Sequence, residues 1–129
     1  QMRYLTIDEV LQIYKKVIDS SGGSRGLRDK DRLESSIIQP QMSFGGKELY
    51  ESIPSKAAAL CYFLVCNHAF IDGNKRIGHA AMEVFLLLNG FEIAADADEQ
   101  EHVIMEIASG KLELKAFTVW VNKNIKAIQ

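Results

Sequence analysis

The chain has 129 residues, 47% of them hydrophobic and 25% charged, the balance of a globular protein with enough length for one hydrophobic core. A net charge of −2 and the lack of any run of five basic residues argue against general nucleic-acid binding. The longest apolar stretch, Ala57 to Cys66, is too short to span a bilayer and no charged-then-apolar leader precedes it, so the expected place is the cytoplasm, away from membranes.

Thr6-Ile7-Asp8-Glu9 has the form of a capping box, with Leu5 and Val10 at the staple positions around it. Those signals predict a helix from about Ile7 to Ser20. Ser21-Gly22-Gly23-Ser24-Arg25-Gly26 reads as a loop on its turn chemistry. A second helix is expected over Asp31 to Gln39, stopped by Pro40. Residues 42–52, centred on Gly45-Gly46, read as an irregular flap or a short hairpin. Ser52 and Pro54 are start signals for a helix reaching about Asn67, apolar nearly all round, as a helix in the middle of a bundle is.

His68 to Gly73 forms a short loop, and a long helix is predicted from Asn74 to Asn89 with Gly90 beyond its end. Ile77, Ala81, Val84 and Leu88 make its apolar stripe; Arg76, His79 and Glu83 share another. Two further helices are expected, Asp98 to Ser109 and Leu114 to Lys126, the second turning Phe117, Trp120 and Val121 inward. His102, among Glu99, Glu101 and Glu106, reads as a solvent-face residue. Cys61 and Cys66 point to different helix faces, so both are expected as buried free thiols. Gln1, ahead of Met2, reads as an added residue. The expectation is one all-α domain over residues 1–129: a compact bundle of about six helices with one short flap or hairpin.

The chemistry concentrates in His68-Ala69-Phe70-Ile71-Asp72-Gly73-Asn74-Lys75-Arg76. A glycine-bearing loop that opens a helix offers backbone N–H groups and the positive dipole end to an anion. Asp72 has the chemistry to hold Mg²⁺ beside phosphate oxygens. Lys75 and Arg76 can neutralise phosphate charge, and His68 can take a proton from an attacking hydroxyl. These residue types suggest phosphoryl or nucleotidyl transfer. Blander readings stand beside that one: His68 as a structural helix-end histidine, Asp72 as a loop cap, Lys75 as a solvated first-turn residue, His79 as a partner of Glu83, Phe44 and Tyr50 as plugs under a loop. A metal hydrolase built on His68, Asp72 and His79 is a third possibility, but the spacing lacks the HExxH pattern.

The same nine residues resemble the central motif of the Fic/Doc family, roughly His-x-Phe-x-Asp/Glu-Gly/Ala-Asn-Gly/Lys-Arg. Lys75 stands where adenylylating members usually have glycine and resembles the death-on-curing, or Doc, branch. Leu27-Arg28-Asp29, Leu33-Glu34-Ser35, Phe44 to Tyr50, Lys56 to Leu60, Asn67 and Phe85 to Gly90 are similar too, so the resemblance covers most of the chain. It implies the toxin half of a toxin–antitoxin pair, with a Phd-like antitoxin as partner. It also implies a transferase that uses ATP and Mg²⁺ to phosphorylate a Ser/Thr hydroxyl of a target protein, elongation factor Tu being the candidate. AMP transfer from the same site is one alternative; a non-catalytic antitoxin-binding module is another.

On this resemblance His68 is the general base and Phe70 anchors the loop. Asp72 binds Mg²⁺, Gly73 and Asn74 shape an anion nest, and Lys75 and Arg76 stabilise charge on the transferring group. His79 joins Gly73, Asn74, Lys75 and Arg76 as a phosphate contact. Phe44, Gly45, Gly46, Lys47, Leu49 and Tyr50 would lie beside the site and pair with the target as an added strand. One departure is His79, where adenylylating members carry a second arginine; histidine is not a fixed fork-shaped cation, which fits the Doc branch better. Ser109-Gly110-Lys111-Leu112-Glu113 has the spacing of the family's Ser/Thr-x-x-x-Glu inhibitory element, but Leu114 follows it and it falls between two helices. It is read as a coincidence, with inhibition left to a separate antitoxin chain held in an exposed apolar groove.

Overall fold

In the computed structural model, which describes residues 2–129, α1 (Ile7–Ser21) starts on its capping box. Thr6 Oγ1 accepts from the Glu9 N–H at 3.2 Å, and a Glu9 carboxylate oxygen accepts from the Thr6 N–H at 2.9 Å. Gln1, read above as an added residue, lies outside the described residues. Asp29 caps α2 (Lys30–Ile38), which ends one residue earlier than expected because Pro40 draws Gln39–Gln41 into a 3₁₀ turn. The flap is a hairpin. β1 (Ser43–Phe44) pairs with β2 (Lys47–Glu48) across Gly45 and Gly46, whose φ values of +60° and +81° allow the tight two-residue turn.

Ser52 caps α3 (Ile53–Cys66), and α4 (Asn74–Leu88) follows the loop. Beyond it come β3 (Phe91–Ile93), α5 (Ala97–Ala108), α6 (Leu114–Lys123) and β4 (Ile125–Ala127). The chain is all-α in class, with six helices and two small antiparallel ladders among the described residues. The second ladder corrects the expected last helix. Asn124 ends α6 by donating its N–H to Val121 O at 3.0 Å and its Nδ2 to Trp120 O at 2.8 Å. Residues 125–127 then run extended, pairing Ile125 with Ile93 and Ala127 with Phe91.

α3 is the central element, packed against α2, α4, α5 and α6. Its closest partner is α4, where a Cβ on Gly78 would lie 2.6 Å from Val65 Cγ2 and 2.9 Å from Cys61 O. One hydrophobic cluster draws side chains from all six helices. The expected α4 stripe needs correction. Ile77 and Ala81 are buried together with Met82, Phe85 and Leu86, whereas Val84 is half-buried and Leu88 is 45% exposed, both lining a shallow groove beside α1. Trp120 is also less buried than expected: it stacks on Phe117 and donates Nε1 to Glu99 at 2.9 Å. Cys61 is buried as a free thiol, but Cys66 is only half-buried; burial pushes both thiols up from their ordinary range. His102 is exposed beside Glu106. Lys56, fully buried, donates Nζ to Pro40 O at 2.9 Å and to Glu48 Oε1 at 2.7 Å, tying the hairpin to α3. No helix among the described residues is long and apolar enough to cross a membrane.

Candidate functional site

The site is built on the turn between α3 and α4. α3 ends at Cys66, and His68 follows Asn67 with φ at +51°, a left-handed conformation that costs a non-glycine residue energy and reverses the chain sharply. Ala69 and Phe70 then plunge into the core, where the Phe70 ring stacks on Tyr14 with centroids 3.8 Å apart. The Asn74 side chain clamps the same residue: Oδ1 accepts from the Phe70 N–H at 3.1 Å and Nδ2 donates to Phe70 O at 3.0 Å.

A second segment braces the loop from outside. Leu27 bridges Phe70, Arg28 and Asp29 donate their N–H groups to Ala69 O, and Ile71 donates to Gly26 O. Tyr14 donates its hydroxyl to Asp72 O at 2.7 Å. Burial pushes the Tyr14 phenol up, which keeps the proton that this bond needs. Gly73 is required twice over. Its φ is +83°, and a Cβ there would lie 2.9 Å from Ile18 Cδ1. With glycine as N-cap, no side chain closes the first turn of α4, so its leading amides stay open to an anion.

A cleft of about 410 Å³ brings His68, Asp72, Gly73, Asn74, Lys75 and Arg76 together. His68 is exposed one residue past the α3 C-cap, at the mouth of the cleft. Each Asp72 oxygen accepts one backbone N–H, Oδ1 from Gly73 at 2.8 Å and Oδ2 from Ser24 at 3.3 Å. The carboxylate is about half exposed, at 49%, so it retains free lone pairs for a hard cation. No group of three or more His, Cys, Asp or Glu that could hold a metal occurs among the described residues. Asp72, half exposed with free lone pairs, is the carboxylate that could hold Mg²⁺, an ion that keeps waters and takes substrate phosphate where one carboxylate binds it. The same finding removes the ligand set of the hydrolase reading, since His68, Asp72 and His79 do not form such a group.

Arg76 leans on the end of α1. Its Nη1 donates to Ser21 Oγ at 2.5 Å and to Gly22 O at 2.7 Å, while Nη2 lies 3.6 Å from Asp72 Oδ1. Lys75 is exposed. Lys75, Arg76 and His79 also border a second cleft of about 350 Å³, walled by Glu101, Ile104 and Met105 of α5. His79 Nε2 is 2.7 Å from Gln100 Oε1, and Gln100 Nε2 donates to Ala95 O, which orients the amide so that His79 is the donor. Glu83, the partner weighed from spacing, is farther away at 3.8 Å.

The flap residues stand apart from this cluster. None of Phe44, Gly45, Gly46, Lys47, Leu49 and Tyr50 lines either cleft. Lys56, their anchor, is about 15 Å along α3 from Cys66 at 1.5 Å per residue. Phe44 is 81% exposed and Leu49 52%, so neither is a core plug, whereas Tyr50 is half-buried. Ser109 to Glu113 is a turn between α5 and α6, not a helix. Sequence reasoning missed Tyr14, Ser21, Gly22, Ser24 and Leu27; the signal available was the glycine run, because Gly23 and Gly26 leave no room for a Cβ against Asp72 and Ile71.

The profile of the Fic/DOC family matches residues 4–86 of this chain. Among curated proteins, "Toxin Doc" of Mycolicibacterium smegmatis is 39% identical over 95 residues, covering 72% of this chain and 73% of that protein. "Protein kinase doc" of Escherichia phage P1 is 26% identical over 118 residues, covering 89% of this chain and 90% of its own.

Proposed function

This chain belongs to the Fic/DOC family, and we propose that it is the toxin of a toxin–antitoxin pair, a cytoplasmic enzyme that phosphorylates a Ser/Thr hydroxyl of a target protein with ATP and Mg²⁺. The observation that carries this reading is one cleft holding an exposed histidine, an uncapped helix N-terminus and two cations. The names of the two relatives, a toxin and a protein kinase, support it.

His68 takes the proton from the target hydroxyl. The hydroxyl oxygen bonds to the γ-phosphorus of ATP, the bond from that phosphorus to the β,γ-bridging oxygen breaks, and ADP leaves. The first-turn amides of α4, with Lys75 and Arg76, hold the phosphate oxygens as their charge rises. Asp72 would hold Mg²⁺, which supplies charge neutralisation between phosphates. Phe70, clamped by Asn74 and stacked on Tyr14, keeps the loop in register. The exposed hairpin, toward the other end of α3, pairs with target chain flanking the modified hydroxyl, elongation factor Tu being the candidate target, and a separate Phd-like antitoxin restrains the enzyme. His79, bonded sideways to Gln100 instead of serving as a forked cation, favours γ-phosphate transfer over AMP transfer.

The test is incubation with Mg²⁺, a bacterial lysate and ATP labelled at the γ- or the α-phosphate, with His68→Ala as control. Label from the γ-position alone is expected, lost in His68→Ala. Label from the α-position makes the protein an adenylyltransferase, and no His68-dependent label overturns both and leaves an antitoxin-binding module.

A further inference from the structure

The end of α1 and the turn after it touch Asp72 and Arg76 of the cleft, although they lie about 50 residues away in sequence, by the separations of 48 and 55 at those contacts. Ser21 donates its own hydroxyl to Val17 O at 2.6 Å, which leaves the Oγ lone pairs to accept from Arg76 Nη1 at 2.5 Å. Gly22 O accepts from the same nitrogen at 2.7 Å. Both Nη1 protons are thus committed to the end of α1. Nε and Nη2 remain, and Arg76 lines both clefts. The carbonyl end of α1 also carries the negative pole of its dipole, which favours a guanidinium there. Ser24 N meets Asp72 Oδ2, and a Cβ on Gly23 would fall 2.6 Å from that oxygen and 3.0 Å from Arg76 Nη2.

We propose that Ser21 is a positioning residue for phosphate binding: with Gly22 O it fixes the Arg76 guanidinium so that its remaining donors face the cleft. This rests on the reading of the cleft as an ATP site. A long arginine side chain that is free must lose rotamer entropy when phosphate binds, whereas one already held by α1 loses little. The neighbouring Ser20, whose hydroxyl also donates to Val17 O but at 3.2 Å, makes no contact with Arg76 and is the natural control.

The experiment is binding of Mg-ATP to the full chain by calorimetry, together with NMR measurement of rotation about the Arg76 guanidinium bonds. Ser21→Ala is expected to raise the Kd about fivefold and to speed guanidinium rotation, the loss expected for one exposed charge-assisted hydrogen bond. Ser21→Thr restores both, and Ser20→Ala changes neither. In an Arg76→Ala background, Ser21→Ala has no further effect on Kd, because the two act as one unit. Slowed or unchanged rotation in Ser21→Ala overturns the proposal, as does an unchanged Kd where wild type binds. A lower Kd in Ser21→Ala also overturns it, since Arg76 would then be restrained from phosphate by α1. If wild type fails to bind Mg-ATP at all, the ATP reading fails and the positioning role in phosphate binding fails with it.

Discussion

Asn74 satisfies both backbone groups of Phe70 with one side chain, and only an amide carries the required acceptor and donor. Phe70 is 1% exposed, so removing the amide strands an N–H and a C=O where water has little access. Asn74→Ala is expected to cost about 2–3 kcal/mol, the penalty for two orphaned groups less some relaxation. Urea unfolding would read that cost, and hydrogen exchange would show the Phe70 amide losing protection; protection equal to wild type would refute the clamp. The residue types of the cleft were legible because a base, a carboxylate, a glycine and two cations stand within nine positions. Their supports were not. Tyr14 reaches Asp72 across 58 residues, and nothing local in Ser21-Gly22-Gly23-Ser24 names its partners. Turn chemistry reads as a loop whether or not that loop braces a site.

α3 and α4 approach closely because Gly78 removes a side chain at their contact. Gly78→Ala gains helix propensity worth about 1 kcal/mol. Against that, the new methyl would meet Val65 Cγ2 at 2.6 Å and the Cys61 carbonyl at 2.9 Å, and the carbonyl cannot move without breaking α3. Overpacking of this kind typically costs about 1–3 kcal/mol, so the variant is expected to be less stable by up to about 2 kcal/mol net of propensity. A melting temperature at or above wild type would show that the helices can separate freely. The same α3–α4 contact explains why α4 did not bury the stripe read from its sequence. Its buried residues, Ile77, Gly78, Ala81, Met82, Phe85 and Leu86, form two adjacent rows facing α3 and the core, and Val84 falls toward α1. Cap chemistry placed the starts of α1 and α3 because it acts within four residues. β3 and β4 escaped because each has three residues and exists only through a partner 32 to 36 positions away, from Ile93–Ile125 to Phe91–Ala127 in the register. Lys123 could continue a helix on propensity; the Asn124 cap and the pairing of Ile125 with Ile93 end it together.

Both ends of the described chain are held at the C-terminus of α4. Asn89 Oδ1 accepts from Arg3 N and Asn89 Nδ2 donates to Arg3 O, each at 2.9 Å, while Ile128 donates its N–H to Gly90 O. Across the fold from the cleft loop, the N-terminal segment is therefore part of the packed structure, with Leu5 buried and Tyr4 stacked on Phe85, and it has an ionic tie as well. Arg3 forms a bidentate pair with Glu9, Nη1 to Oε1 at 3.0 Å and Nη2 to Oε2 at 2.5 Å. The Arg3 hydrogen bonds, followed by the Thr6 N–H, hold the Glu9 carboxyl down from 4.5 to about 2. A lowered carboxyl pKa contributes stability that is complete above the unfolded value and is lost as pH falls through the folded one. Glu9→Gln keeps an acceptor for Thr6 and removes only the charge. Because the pair is substantially exposed, solvent screening limits the loss at pH 7 to about 1 kcal/mol or less, well under what the full shift implies. Urea unfolding of both proteins from pH 7 to pH 2 should show that gap constant down to about pH 4.5, narrowing below it and nearly closed at about 2. Added salt should shrink the gap at pH 7 as well. A difference that stays the same across the whole acid range would mean that the Arg3–Glu9 charge pair does not hold the N-terminal segment, and that Asn89 and the β3–β4 ladder close this end of the molecule without it.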